Sequence, residues 1–446
     1  MKFFFENIFL YIELVICSLI LNSCSDSNFG YETPASFECP QYDPNSDTLL
    51  LYPVKVFNEY GYMNKHGKIV IEPQFQQAYD FKEGLATVFL HDGSSGIDVA
   101  YIDKSGKIIW QEDERNGYSN GLGDFNNGLL MISHYKNYIH KYGFVNRKGK
   151  IVIPPFFEKA WEFHEGMSRV CLLTKPLSSE EEKENSVSKL DQRKRERWGF
   201  INTKGELVVP FKYNEVGDFS EGFAHVVEAD ESEINSDFIF LEHGKHGFID
   251  KKGDVVIPLI YEDAQRFSEG LAPVKLKGKW GFINKKWEII IPASFDMVEP
   301  FHNGMAMVRK TEEETFKEKY GFINKNGKLT IPYKYDFAMD FENGRACVEV
   351  NDKCGCINTK GKWLIEPVFD GLIFFSEGIG VTELEKKYGF IDTLGNWIVM
   401  PNFQDARSFN NGLAAVVFKG YYYNPEHYTE LGYINKKGEY VWKPQW

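Results

Sequence analysis

One phrase recurs along the whole chain and limits the folds open to it more than any other feature. It reads YGYMNKHGKIVIEP at 60–73, YGFVNRKGKIVIPP at 142–155, WGFINTKGELVVP at 198–210 and HGFIDKKGDVVIP at 246–258. Aligned on the Gly that follows an aromatic residue, His246 or Cys354, eight copies begin at Gly61, Gly143, Gly199, Gly247, Gly281, Gly321, Gly355 and Gly389. In each, a second Gly follows 23 positions later, from Gly84 to Gly412, with no insertion between. A degenerate copy at Ala100-Tyr101-Ile102-Asp103 reaches Gly128 after 28 positions, and a half-copy, LGYINKKGEYVW, lies near the C-terminus. A fixed core with length variation confined to one place marks a repeat array.

The residues within one copy predict strands. Leu271–Leu276 and Trp280–Asn284 alternate around Lys277-Gly278, a two-residue hairpin turn. A second turn has Asn or Asp first and Gly fourth, as in Asn64/Gly67 and Asn324/Gly327. Asn or Asp suits the first position of a type I turn, and Gly the left-handed position that follows. Ile289–Ile291 then runs to Pro292, whose missing N–H ends pairing. Each unit is expected to be a three-stranded antiparallel meander, too small to bury its own apolar face, so that neighbours must stack. An aromatic content of 16% agrees with an all-β chain.

The motif carried by Trp198-Gly199-Phe200-Ile201-Asn202 and Trp280-Gly281-Phe282-Ile283-Asn284, with downstream Ile-Pro and Glu-Gly-Leu-Ala, resembles the WG-repeat (KWG-repeat) family from about residue 55 onward. The resemblance implies a repeat fold and no one activity. The expected architecture is a tandem array of about ten meanders in an open superhelical β-solenoid, with a propeller-like closed ring as the alternative. A propeller normally asks for four strands per blade and four to eight blades. Expected boundaries are a leader at 1–23, a tether at 24–54 and the array at 55–446, with a degenerate unit at 100–132, a charged insertion at 175–197 and a half-repeat cap at 431–446.

The N-terminal apolar stretch ends in Leu21-Asn22-Ser23-Cys24, which resembles the lipobox of bacterial lipoproteins. That resemblance implies a lipidated Cys24 and an extracytoplasmic, membrane-anchored protein. A formal charge of −13 without a basic stripe argues against nucleic acid.

Chemistry is sparse. The Glu or Asn before the second Gly recurs in every unit, as at Glu269 and Asn303, which suits a structural turn better than a catalytic pair. The same holds for Asp296, Asp336 and Asp370 after the aromatic. The ten His show no HExxH or related metal spacing, and no metal or cofactor is expected. Ser186-Val187-Ser188-Lys189 matches SxxK but lies in a polar insertion, where a solvated loop or frayed helix is expected. About an Asn351-Asp352 turn, Cys347 should face Cys356, a candidate cross-strand disulfide. Candidate contacts for a protein or glycan partner are Tyr421, Tyr422, Tyr423 and Tyr428 in one insertion, and Trp363 and Trp397, for which core packing or a ladder is expected. Trp287 joins them because it replaces the turn Gly found in nine other copies, at a left-handed cost of about 1 kcal/mol. The expected function is a lipid-anchored, non-catalytic binding scaffold of the cell envelope. The alternatives are a glycan-processing enzyme and a purely structural or adhesion protein.

Overall fold

The computed structural model describes residues 50–91, 97–112, 117–119, 123–136, 139–175, 188–230, 234, 244–312, 316–418 and 430–443. They form ten small antiparallel sheets. These blades, numbered 1 to 10, span 51–75, 77–111, 118–157, 159–213, 215–261, 263–295, 297–335, 337–369, 374–403 and 405–442.

Blade 6 shows the pattern. Leu271–Leu276 pairs with Lys279–Asn284, in the register Leu276 to Lys279 that a two-residue turn dictates. Lys277 and Gly278 both have positive φ, 51° and 75°, as a type I′ hairpin turn requires. Ile289–Phe295 forms the next strand. The segment read as a plain return turn contains a further strand, Asp263–Ala264, which pairs with Lys275 and Val274. Among the described residues, nine blades therefore have four strands and blade 1 has three.

The motif glycine has a steric reason. A Cβ on Gly281 would lie 2.5 Å from the Ile291 carbonyl oxygen and 2.7 Å from the Ala293 nitrogen. The last strand bulges over this point, its register jumping from Phe282–Ile291 to Trp280–Phe295. In blade 2 the position holds Ala100, and the last strand shortens to Ile108–Gln111, with Ala100 opposite Gln111 and Tyr101 opposite Trp110. The degenerate copy is thus a blade that has exchanged the bulge for direct pairing.

Blades are joined by aromatic rings. Phe301 of blade 7 meets Phe282 of blade 6 with centroids 4.8 Å apart. Equivalent pairs, among them Tyr62–Phe81, Phe144–Phe163, Phe322–Phe341 and Phe390–Phe409, occupy eight of the ten junctions. Tilted and edge-on pairs of this kind contribute about 0.5–1.5 kcal/mol each beyond their buried area.

Blade 10 packs against blade 1. Tyr52 and Tyr433 meet at 5.9 Å, edge to face. The Tyr433 hydroxyl donates to the Pro53 carbonyl and the Tyr52 hydroxyl to the Asn411 carbonyl, both at 2.7 Å. Leu51, Val54, Leu413, Val417 and Trp442 share one apolar cluster. The array is therefore a closed ten-bladed propeller, not an open solenoid. The expectation failed because the fourth strand is only two residues long in most blades and was concealed in a turn. Two boundaries change with it. The first strand starts at Leu51, inside the expected tether. Residues 431–442 supply the last two strands of blade 10 and seal the ring, so they do not cap a free end.

Candidate functional site

The meander gives the ring two distinct edges. The Glu-Gly turn and the Asn-x-x-Gly turn lie at one end of each blade, and the hairpin between its second and third strands lies at the other. Glu269 has φ +52° and Gly270 φ +85°, and every Glu or Asn at this position has the same left-handed backbone. Its side chain reaches the next blade. Glu269 accepts the Gly304 N–H at 2.9 Å, and Lys325, from the second turn of blade 7, donates to the Glu269 carbonyl at 3.0 Å and lies 3.1 Å from its carboxylate. Burial alone would push the Glu269 carboxyl up, but the Gly304 amide, Lys325 and the Asn303 amide outweigh it and hold it below its ordinary value. Glu165–Lys251, Glu221–Lys285 and Glu377–Lys436 repeat the arrangement.

These latches are matched across repeats. Where the first partner is Asn127, Asn303 or Asn343, the position taken by Lys in the following blade holds Thr203, Thr359 or Thr393. A Glu is followed by Lys or Arg and an Asn by Thr, except where the ring closes and Asn411 is followed by Lys65 of blade 1. The recurring acids are therefore consumed in blade-to-blade contacts. Asp336 and Asp370 act similarly on the opposite edge, accepting the Asn351 and Glu385 N–H groups of the next hairpin and pairing with Lys319 and Lys353.

That opposite edge carries the variable loops. In blades 3, 6, 8 and 9 the second and third strands are joined by two residues, as are the first and second described strands of blade 1, which correspond to them. In blades 2, 4, 5, 7 and 10 the same connection is longer: 92–96, 174–195, 229–244, 312–317 and 418–430. All five leave from corresponding ladder ends, and so from one edge of the ring.

On the latch edge, the junction around blade 1 is irregular. Among the described residues, blade 1 has no short first strand and no Glu-Gly turn. Its Tyr52 stands where most blades place a small residue, such as Ala272 or Ala306, and its ring fills the space that the Phe of other blades takes up. A pocket of about 200 Å³ remains beside it, lined by Leu50, Tyr52, Asp80, Phe81, Glu83, Gly84, Lys104, Asn410 and Asn411. Burial raises the Asp80 carboxyl, while Arg407 and Lys82 oppose the rise. Burial, then Glu377 and Asp80, push the Tyr52 hydroxyl up to about 12. The Lys104 ammonium stands 6.0 Å from the Phe81 ring centre.

A family model for the WG containing repeat matches residues 60–92, 142–172, 198–229, 247–280, 280–312, 320–354, 355–388 and 388–422, more than half of the chain. The chain belongs to the WG-repeat family. No curated protein matches it. Solved structures similar to the WG ring include a eukaryotic initiation factor at 12% identity, covering 69% of this chain and 81% of that one, with a TM-score of 0.42. AztD from Citrobacter koseri is similar at 10% identity, 77% and 91% coverage and a TM-score of 0.30. Oligopeptidase B from Trypanosoma brucei is similar at 9% identity, 87% and 53% coverage and a TM-score of 0.31. These likenesses are too distant to bear on what this WG protein does.

The three candidate tryptophans each pack on the last-strand aromatic of the preceding WG blade. Trp287 keeps the left-handed φ of +65° and donates its indole N–H to the Tyr261 hydroxyl at 2.8 Å, with 46% of its surface still exposed. Trp363 meets Tyr335 edge-on at 6.0 Å, and Trp397 meets Phe369 at 5.4 Å. They form inter-blade contacts rather than a ladder, because each is turned toward the blade before it. Cys24, Tyr421, Tyr422, Tyr423 and Tyr428 lie outside the described residues.

Cys347 faces Cys356 in the expected register, yet both are free, buried thiols, as is Cys354 on the same face. The candidate disulfide is not formed; Cys347 Sγ instead accepts the Ile373 N–H at 3.3 Å. Contact with Cys354 pulls the Cys347 thiol down, but contact with Cys356 and burial together push it up to about 12. Cys356 stands in the Phe position of the motif, at the one regular junction without an aromatic pair, where Ile373 and Phe375 fill the space. Ser188 of the SxxK match caps a short helix, Lys189–Arg195, by accepting the Asp191 N–H. His246 stacks on His225, 2.8 Å between Nδ1 and Nε2. Sequence reading missed the seam pocket and the matched latches. The signal for the latches was present in the residue after each turn Asn, but pairs only with the previous repeat.

Proposed function

We propose that this WG-repeat ring is a lipid-anchored, non-catalytic scaffold of the cell envelope that presents its variable loops to a protein or glycan partner. The observation that carries this reading is the placement of all five long connections on one edge of the ring. The blade bodies supply rigidity through their aromatic pairs and latches, and the loops are free to differ in length and chemistry without disturbing them. One of these loops holds Tyr421, Tyr422, Tyr423 and Tyr428. Flat amphipathic rings suit a sugar face or a protein surface, at a small entropic cost on binding. The lipobox-like Leu21–Cys24 would tether the ring to the membrane.

The test replaces 419–429 with Lys-Gly, the turn of blade 6, and compares capture of envelope proteins and of a polysaccharide panel. Loss of a specific ligand with the melting temperature retained is the expected result. Unchanged capture, with the other four loops likewise dispensable, would remove the loop edge as the binding surface. Anchoring is tested separately: Cys24→Ala should move the protein from the membrane fraction to the soluble one.

A further inference from the structure

The Asn-x-x-Gly turn of each blade places its third residue at an apex on the latch edge. In all ten turns the Asn or Asp side chain accepts that residue's N–H, at 2.8–3.0 Å. Six of the ten apices are lysines: Lys148, Lys204, Lys252, Lys286, Lys360 and Lys437. All six are exposed and form no ion pair among the described residues. Taken over five residues, from the first Asn or Asp to the residue after the Gly position, the ten turns hold 18 Lys or Arg against 7 Asp or Glu. That is a net +11 in a chain of net −13. Six of these acids are engaged within the turn. Asp103, Asp250 and Asp392 cap it, and Glu206, Glu288 and Glu439 accept from the side-chain amide of the turn Asn. In four turns the Lys at the second position is held by a latch glutamate, so the apical lysines carry the charge that faces solvent.

The connections that leave the opposite edge have the opposite sign. Residues 92–96, 174–195, 229–244, 312–317 and 418–430 together hold 8 Lys or Arg against 16 Asp or Glu, a net −8. Charge is therefore segregated along the ring axis, basic on the latch edge and acidic in the loops of the other. Two apolar side chains stand among the lysines. Leu394 takes the apex in blade 9 and is 72% exposed, and Trp287, next to the apical Lys286 in blade 6, is 46% exposed. The described chain also enters the ring on this edge, where Leu51 lies opposite Asn64, so the proposed tether joins the ring there.

We propose that the latch edge is a docking surface for an anionic lipid bilayer, with the apical lysines against its phosphate headgroups. Ten equivalent turns around a closed ring present their apices as an annulus, which meets a plane of headgroups at many points at once. A linear polyanion would cross only part of it. Each lysine close to an anionic surface strengthens binding about fivefold. The Trp287 ring and the Leu394 side chain suit the boundary between headgroups and acyl chains. Screening over about 8 Å at physiological ionic strength keeps this contact too weak to hold the ring alone, so a lipid on Cys24 is still needed for stable anchoring. The inference rests on the envelope reading given above and deepens it. It names the surface that the latch edge meets and leaves the loop edge directed to the partner.

The test uses the full chain with Cys24→Ala, which carries no lipid, in low salt. It measures cosedimentation with vesicles of phosphatidylcholine alone and of phosphatidylcholine with an equal part of phosphatidylglycerol. The expected result is binding to the mixed vesicles only, lost in high salt. Lys148→Gln, Lys204→Gln and Lys252→Gln together should weaken it about a hundredfold with the melting temperature retained. Lys136→Gln, Lys245→Gln and Lys387→Gln, which remove equal charge from the loop edge, should change it little. If the apical triple variant is less stable, the three single variants are read instead, each expected to weaken binding about fivefold. No binding to the mixed vesicles, or equal weakening by the two triple variants, would overturn the proposal. So would binding of soluble polygalacturonate through the apical lysines without binding of the vesicles, which would assign the edge to a linear polymer. Because the chain tested carries no lipid and keeps 419–429 intact, failure here leaves the loop-edge and anchoring readings standing.

Discussion

The Tyr433 hydroxyl donates to the Pro53 carbonyl at 2.7 Å across 380 residues of sequence, and this buried bond joins the last blade to the first. Together with the Tyr52 ring it holds a junction that has no Phe pair among the described residues. Tyr433→Phe leaves the Pro53 carbonyl without its donor and should cost about 1–2 kcal/mol. Tyr52→Ala removes a buried ring and should cost about 3–5 kcal/mol. Hydrogen exchange is the sharper readout: protection should fall first in 51–64 and 431–442, and equal loss in every blade would contradict a seam role.

The latch predicts coupled substitutions. Glu269→Asn alone leaves Lys325 without its carboxylate, whereas Glu269→Asn with Lys325→Thr recreates a pair found at three other junctions. The double variant should be about 0.5–1 kcal/mol more stable than the sum of the single changes implies, and the coupling should shrink in high salt. Because the folded state holds Glu269 below its ordinary value, this stability is present above about pH 4.5 and lost as pH falls through the folded value. Denaturant midpoints across a salt and pH series test both statements.

Trp287 has two opposed contributions. The left-handed backbone costs about 1 kcal/mol relative to Gly, and the contact with Tyr261 recovers about as much. Trp287→Gly should therefore be near neutral. Trp287→Ala retains the strain and loses the ring, and should cost about 1–2 kcal/mol. Tyr261→Phe should lower the melting temperature in wild type and have little effect beside Trp287→Gly. Equal melting temperatures for the Gly and Ala variants would show that the turn has changed type.

His225 gives a pH dependence of its own. Burial, and then the neighbouring His246, push its pKa down to about 3. The unfolded chain binds this proton near pH 6.5 and the folded chain does not, so stability is full above 6.5 and falls as pH drops toward 3. His225→Gln should flatten the melting-temperature profile in that window, measured by calorimetry. An unchanged slope would place the acid sensitivity elsewhere.

The buried thiols, Cys171 in blade 4 and the three at the blade 8–9 junction, should be inert in the folded protein. Burial raises Cys171, and contacts among Cys347, Cys354 and Cys356 together with burial raise the first two of these. Iodoacetamide at pH 8 should label Cys171, Cys347, Cys354 and Cys356 only after unfolding. Rapid native labelling of Cys347, read by peptide mass, would show that this junction opens.

Local chemistry wrote the units plainly into the sequence. The alternation about Lys277-Gly278 set the hairpin register, Asn324 and Gly327 set the next turn, and the recurrence of Glu or Asn before Gly marked a structural role. Each of these depends on neighbours within a few residues, and strand pairing across a tight turn leaves one register that buries one face. The two-residue strand Asp263–Ala264 was not legible, because a segment that short carries no alternation. Closure was not legible either. Whether ten similar units spiral or meet depends on the small rotation from each blade to the next, summed around the ring, and on whether Tyr52 and Tyr433 fit when the ends arrive. That sum exists only in three dimensions, and it also decides that Glu269 meets Lys325, that the long loops share an edge, and that a pocket lies beside Tyr52.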